Sequence, residues 1–277
     1  MQQIAQSPDE YLVVGNPIGH SKSPQIHQLF AQQTKQDLTY RSHFIELGQF
    51  DENVVAFQKS NIKGINVTLP FKQLAWSVSQ KLSSCAQLAG AVNTLSFRDN
   101  VIYGDNTDGI GLVTDLKVNN GLCFEGCNIL ILGAGGAVRG VLQAIIDQNP
   151  ASITIANRTL ATAHELATLF AAKFSIEAVE YSDLNRSYDL IINGTSASLN
   201  KELLPVPNII VDSNSYLYDM MYSVEQTVFN KWGEDLGAKN TSDGLGMLVE
   251  QAAEAFYLWR NVRPETKSVI SLLRQAL

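Results

Sequence analysis

An α/β protein built around a doubly wound parallel sheet is predicted by three features of this chain. The first is the apolar run Ile129-Leu130-Ile131-Leu132, too short and too β-branched for a helix, which leads into Gly133-Ala134-Gly135-Gly136-Ala137. The second is the helical spacing of apolar residues over 138–146. The third is the alternation of further short apolar runs at 152–156, 176–180, 190–193 and 209–212 with helical stretches at 160–172 and 224–232. The same alternation over roughly the first hundred residues predicts a separate α/β domain ahead of this one.

In chain order, 11–15 reads as a short apolar strand followed by a polar turn. Ser23 as N-cap and Pro24 at the first helical position start a helix running to about 34. Residues 38–47 alternate enough for a strand, and 50–59 form an amphipathic helix with Phe50, Val54 and Phe57 on one side. A buried strand covers 64–69 and stops at Pro70, with a helix beginning near Phe71. Strands at 92–97 and 101–103 flank Arg98-Asp99-Asn100, a hairpin turn by composition. A helix over 107–119 leads into the glycine-turn domain. Leu248, Ala252, Ala255 and Trp259 mark the buried face of a helix over 245–260, and Pro264-Glu265 opens a final helix.

A chain of 277 residues, 45% hydrophobic and 17% charged, suits one large or two ordinary soluble domains. The net charge of −7 argues against nucleic acid or an anionic membrane as the main partner. The polar start, residues 1–10, lacks the basic and apolar regions of a secretion signal, and no run approaches a membrane span. Cys85, Cys123 and Cys127 show neither metal nor redox spacing, so reduced thiols in a cytoplasmic protein are expected. His20, His27, His43 and His164 form no ligand pattern and read as structural or surface residues; no metal is expected. Oligomeric state, monomer or homodimer, is not legible.

The strand, glycine turn and helix at 128–146 put backbone N–H groups and a positive helix end where a pyrophosphate can sit. The next strand ends at Asn157-Arg158-Thr159, where an NAD site places an acid for the ribose 2′-OH. An arginine with amide and hydroxyl neighbours suits a 2′-phosphate instead, so NADP is read over NAD, with a merely solvated arginine as the alternative. In the first domain, Ser21, Ser23, Asn66, Thr68, Lys72, Asn93 and Asp108 gather near strand ends, where open α/β sheets bind ligands. Each also has a plain structural reading, Ser23 as a cap and Lys72 as a solvated first-turn lysine, and spacing does not decide between them. Gln251 lies among apolar helix positions, either satisfied by backbone or directed at a ligand.

Five blocks then become recognisable: Gly15-Asn16-Pro17-Ile18-Gly19-His20-Ser21-Lys22-Ser23-Pro24, Asn66-Val67-Thr68-Leu69-Pro70-Phe71-Lys72, Ala89-Gly90-Ala91-Val92-Asn93-Thr94, Gly104-Asp105-Asn106-Thr107-Asp108-Gly109 and Asp243-Gly244-Leu245-Gly246-Met247-Leu248. They closely resemble the shikimate dehydrogenase family, come in family order and span nearly the whole chain. The resemblance implies an N-terminal substrate domain over 1–107, to which 244–277 return as C-terminal helices, and a Rossmann-like NADP domain over 108–243. It implies reversible, NADPH-dependent reduction of 3-dehydroshikimate to shikimate, toward chorismate and the aromatic amino acids. Lys72 and Asp108 would be the catalytic pair. Ser21, Ser23 and Thr68 would hold the substrate carboxylate end, Asn93, Asp108 and Gln251 its hydroxyls, and Asn66 and Tyr222 would also contact the substrate. Gly133, Ala134, Gly135, Gly136 and Ala137, with Asn157, Arg158, Thr159, Thr195, Met220 and Gly244, would bind the cofactor.

The chemistry asks for such groups. Hydride arriving at a ring ketone leaves an alkoxide that needs a proton donor within hydrogen-bond reach, and a lysine ammonium can stabilise the charge and supply the proton. Whether Lys72 donates that proton or mainly orients the substrate stays open. Three departures from the family pattern stand out: Thr162 in place of a second basic residue, a loop from Asn193 to Ser198 without the family's later glycine, and no proline over 223–228. The alternatives are a quinate/shikimate dehydrogenase preferring NAD, a non-catalytic shikimate-binding relative, and a dehydrogenase of like design acting on another substrate.

Overall fold

Residues 7–277 are described by the computed structural model, and within them the strands form two sheets of six. Residues 1–6, part of the polar start read above as carrying no secretion signal, lie outside. Two compact units result: residues up to 107 with 251–269, and residues 108–250 with 270–277.

In the first unit the chain runs β1 (Asp9–Gly15), α1 (Ser23–Thr34), β2 (Leu38–Phe44), α2 (Phe50–Gln58), β3 (Ile62–Val67), α3 (Lys72–Val78), β4 (Lys81–Leu82), α4 (Ser84–Ala89), β5 (Thr94–Arg98) and β6 (Val101–Asp105). The sheet order is β2-β1-β3-β5-β6-β4, with β5 antiparallel to both neighbours and the other pairs parallel. Arg98 pairs with Val101, so the hairpin turns on Asp99 and Asn100, both at positive φ, the backbone of a tight two-residue turn. Leu12, Val14, Ile65 and Leu95 from the sheet pack with Phe50, Val54 and Phe57 of α2 and with Phe71, which stacks on Phe50 at 5.1 Å.

Several boundaries differ from the sequence reading. Lys22, not Ser23, occupies the cap position of α1; Ser23 is its first residue, and the Ser21 hydroxyl accepts the Ser23 N–H at 3.3 Å. The strand expected over 64–69 ends at Val67, leaving Leu69 exposed in the turn before α3. β4 and α4 were not anticipated; β4 has only two residues, and α4 starts at a Ser83 cap whose hydroxyl accepts from Ala86 N.

The second unit runs α5 (Asp108–Thr114), β7 (Asn128–Leu132), α6 (Gly136–Ile146), β8 (Ser152–Ala156), α7 (Leu160–Phe170), β9 (Ile176–Val179), β10 (Leu190–Asn193), β11 (Tyr216–Asp219), α8 (Val228–Asp235) and β12 (Asn240–Asp243). All its strand pairs are parallel in the order β9-β8-β7-β10-β11-β12. Numbered from its own first strand this is 3-2-1-4-5-6, the dinucleotide-binding order. Helix α5 widens into a π turn over Asp115–Asn119. There the buried Asp115 carboxylate accepts from Tyr218 Oη at 2.7 Å and Asn119 Nδ2 at 3.0 Å, and burial raises its pKa.

The strand expected at 209–212 is absent. Asn208–Ile210 form a single 3₁₀ turn behind Pro205 and Pro207, with Ile209 exposed. The fifth strand is instead β11, whose four residues are all buried. The helix expected from 224 begins at Val228, where the Thr227 hydroxyl accepts the Asn230 N–H; Val224 lies exposed ahead of it.

Helices α9 (Leu245–Arg260) and α10 (Lys267–Gln275) follow. Leu245, Val249, Ala252, Ala253 and Phe256 carry the buried side of α9, while Leu248 and Trp259, assigned to it by spacing, are half-buried. Only 251–269 join the first unit. Arg260 pairs with Asp9, Gln33 exchanges hydrogen bonds with the Glu265 backbone, and Trp259 Nε1 donates to Leu95 O at 3.1 Å. Residues 244–250 and 270–277, expected in the first domain, group with the second because Gly244 N bonds Met221 O, Asn119 reaches Glu250 and Arg274 pairs with Asp243.

Candidate active site

One end of the first sheet collects the polar residues. β1, β3 and β6 point their carboxyl ends the same way, and antiparallel β5 starts there. In register, Asn66 pairs with Thr94 and Thr94 with Asp105, so three adjacent strands present polar residues side by side. Ser21 and Ser23 follow β1, Thr68 and Lys72 follow β3, and Asn93 immediately precedes β5.

The backbone fixes these positions. Thr68 N donates to Val14 O, Val67 N to Asn93 O, Val92 N to Lys72 O and Asn93 N to Asp105 O. Tyr40 Oη donates to Asn66 Oδ1 at 2.7 Å, and Asn66 Nδ2 donates to Thr94 Oγ1 at 3.0 Å and Asn93 O at 3.2 Å. Asn93 Oδ1 accepts from Thr94 Oγ1 at 2.9 Å and Thr107 N at 2.9 Å, and its Nδ2 reaches Gln251 Oε1 at 3.3 Å. Gln251 is therefore held by a side chain of the polar group and not by backbone alone.

Behind this layer His27, 1% exposed, stacks on Tyr40 at 4.0 Å and meets Phe30, Phe256 and Trp259. Burial lowers its pKa to about 3 and lifts that of Tyr40 well above the ordinary value. The structural reading of His27 fits this setting. His20 and His164 are exposed, and His43 packs edge-on against Phe57.

In the second unit β7 ends at Leu132 and runs into Gly133, whose φ of +102° belongs to the left-handed half of backbone space, and whose N–H donates to Ala156 O. A Cβ there would lie 2.8 Å from Thr195 Cγ2, whereas beyond Gly135 and Gly136 the space is open. These glycines leave the start of α6 accessible to a phosphate, the cradle that a dinucleotide requires. At the end of β8, Asn157 Nδ2 donates to Thr159 O at 2.9 Å, shaping the turn that leaves Arg158 exposed.

The ends of β10 and β11 form a further polar group. Asn193 Oδ1 accepts from Thr195 N and Thr195 Oγ1, while Asn193 Nδ2 and Ser198 Oγ both donate to the buried Asp219 carboxyl. Met221 N donates to Asp219 Oδ1, which places buried Met220 beside Gly244. A Cβ on Gly244 would lie 2.2 Å from Met220 O, so only glycine fits there. In the loop after β10, which lacks the family's later glycine, Ser198 supplies Asp219 with a donor. Burial raises the pKa of Asp219 and, with Asp243 nearby, that of half-buried Tyr222.

Ser21, Ser23, Asn66, Thr68, Lys72, Asn93 and Gln251 thus belong to the first unit. Asp108, which begins α5, and Tyr222 belong to the second with every expected cofactor residue. Sequence reasoning missed Tyr40, Thr94, Thr107 and Asp219. Their types are common in any strand or turn, and only the pairing across strands brings them together. Among the described residues no group of His, Cys, Asp and Glu could hold a metal ion, and no helix is long and apolar enough to cross a membrane.

The strand order, the glycine turn and the arginine in place of an acid after β8 define a pyridine-nucleotide oxidoreductase with a separate α/β unit. Family models agree: residues 13–95 match the shikimate dehydrogenase substrate binding domain, 116–202 the shikimate/quinate 5-dehydrogenase family and 244–274 the shikimate 5′-dehydrogenase C-terminal domain. A shikimate dehydrogenase (NADP(+)) of Hahella chejuensis is 51% identical over 96% of this chain and 99% of its own. The fold is also that of an Ael1 enzyme from Pseudomonas putida, at TM-score 0.91, 41% identity and coverage of 96% and 98%. The shikimate 5-dehydrogenase of Thermus thermophilus, solved with NADP(H) and shikimate, aligns at TM-score 0.88 and 29% identity over 97% and 99%. The chain belongs to the shikimate dehydrogenase family.

Proposed function

We propose that this chain catalyses the reversible reduction of 3-dehydroshikimate to shikimate with NADPH, in the route to chorismate and aromatic amino acids. The observation that carries the reading is the set of hydroxyl, amide and ammonium groups at one end of the first sheet. It suits a polyhydroxylated carboxylate, on a chain about half identical along its length to relatives named shikimate dehydrogenase (NADP(+)).

The glycine turn and the Arg158 turn fit NADP, which when bound supplies the hydride. Gly133, Ala134, Gly135, Gly136 and Ala137 take the pyrophosphate and Arg158 with Asn157 and Thr159 the 2′-phosphate, Met220 and Gly244 serve the nicotinamide end, and Thr195 also contacts the cofactor. Ser21, Ser23 and Thr68 hold the substrate carboxylate. Asn93, Asp108 and Gln251 bind its hydroxyls, and Asn66 and Tyr222 also contact the substrate. Lys72, in the first turn of α3, stabilises the developing alkoxide and gives it a proton. Asp108 is the second residue of the proposed catalytic pair. The enzyme works in the cytoplasm, as a monomer or homodimer; three cysteines without metal or redox spacing suit a reducing compartment.

Loss of NADPH absorbance on adding 3-dehydroshikimate tests the reaction directly. Lys72→Ala is expected to lower turnover about 10²-fold or more with substrate binding little changed. Near wild-type turnover in that variant would end the catalytic assignment.

A further inference from the structure

The amides of the first unit's polar group can each be written in two orientations, but two backbone contacts leave only one consistent choice. Thr107 N is a donor only, so the atom of Asn93 that it meets at 2.9 Å is the oxygen. Thr94 Oγ1, 2.9 Å from that same oxygen, must then donate to it and accept from its other neighbour, Asn66 Nδ2 at 3.0 Å. Independently, Asn93 O is an acceptor only, and it too faces Asn66 Nδ2. Both anchors turn the Asn66 oxygen toward Tyr40, whose hydroxyl donates to it. On the other side the Asn93 amide nitrogen faces Gln251, which turns Gln251 Oε1 inward and its NH₂ outward from Asn93. The result is a directed line, Tyr40 to Asn66 to Thr94 to Asn93 to Gln251, with Asn66, Thr94, Asn93 and Thr107 all buried.

We propose that Thr94 is a positioning residue for the substrate site: its one hydroxyl, accepting from Asn66 and donating to Asn93, sets which amide atoms the site presents. Asn66 acts on a bound hydroxyl as an acceptor, through Oδ1, and Gln251 as a donor, through Nε2. The inference rests on the substrate reading given above.

The test compares Thr94→Val with Thr94→Ser, following steady-state reduction of 3-dehydroshikimate and, as a check on folding, NADPH binding by fluorescence. Valine keeps the shape but leaves two buried amide atoms short of a partner. The expected result is a KM for 3-dehydroshikimate raised about tenfold, the factor for roughly 1.4 kcal/mol, with NADPH affinity unchanged. Serine restores the hydroxyl and returns KM to within about twofold of wild type. A valine variant with wild-type KM, or a serine variant no better than valine, overturns the proposal. Should the valine variant fail to bind NADPH, Tyr40→Phe decides: it keeps the ring on His27, removes the first donor and is expected to raise KM severalfold, and an unchanged KM overturns the directed line. Gln251→Glu keeps an acceptor for Asn93 but loses the donor, so wild-type KM in that variant overturns the donor role. A wild-type protein inert toward 3-dehydroshikimate would instead end the substrate reading. Active wild type with an unresponsive Thr94→Val ends the positioning role alone.

Discussion

Replacing His27 by phenylalanine should make the protein less sensitive to mild acid. His27 is 1% exposed and ringed by Phe30, Tyr40, Phe256 and Trp259, with the Asn66 side chain as a polar neighbour. Burial holds its pKa at about 3 against an ordinary 6.5. As pH falls the unfolded chain therefore takes up the proton first, and its gain is the native state's loss. The neutral ring's stability is fully present above pH 6.5 and declines as pH falls toward 3. Between pH 7 and pH 5 this single group removes about 2 kcal/mol, at 1.36 kcal/mol per unit below 6.5. Phenylalanine retains the stack on Tyr40 and has no proton to bind. Urea unfolding of both proteins at pH 7 and pH 5 measures the effect: the variant should gain about 2 kcal/mol on wild type over that interval. The buried carboxyls of Asp115 and Asp219, with raised pKa values, act with the opposite sign but are common to both proteins and cancel in the comparison. A stability difference that stays constant between the two pH values would refute the reasoning.

Three further outcomes are expected. Gly133→Ala places a Cβ at a φ of +102° and 2.8 Å from Thr195 Cγ2, so NADPH affinity should fall about tenfold or more; an unchanged fluorescence titration would remove the turn from the cofactor site. Arg158→Gln should raise the KM for NADPH about 10- to 100-fold while leaving that for NADH nearly unchanged, the range of a lost charge-assisted hydrogen bond. Equal effects on both cofactors would contradict the 2′-phosphate role. Thr227→Ala removes the cap of α8 and a hydroxyl beside Asp219. It should cost about 1–2 kcal/mol in urea unfolding, and no shift in the midpoint would show that Asn230 N finds another partner.

The sequence made the centre of the second sheet legible because β7, β8 and β10 are buried on both faces and read as continuous apolar runs. Its far side was not. Ile209, Ile210 and Val211 look like a strand, yet two prolines turn them into a 3₁₀ bend, and the tyrosine-rich β11 takes the place in the sheet. Asn240–Asp243 carry no apolar signal because β12 is an edge strand that pairs on one side only. In the first unit the motif residues were visible as types in order. That Asn66, Thr94 and Asp105 fall opposite one another depends on strand register, which no local pattern encodes.

The first unit is not a continuous stretch of chain, since 251–269 complete it after the whole second sheet has been made. A nascent chain released as far as residue 107 has the six strands of its first sheet but lacks the indole that Trp259 gives to Leu95 and the Phe256 ring beside His27. During synthesis, then, the half carrying the substrate groups stays unfinished until 251–269 have been made. Truncation near residue 250 should remove substrate handling at its source, though every residue of the polar set but Gln251 is still present.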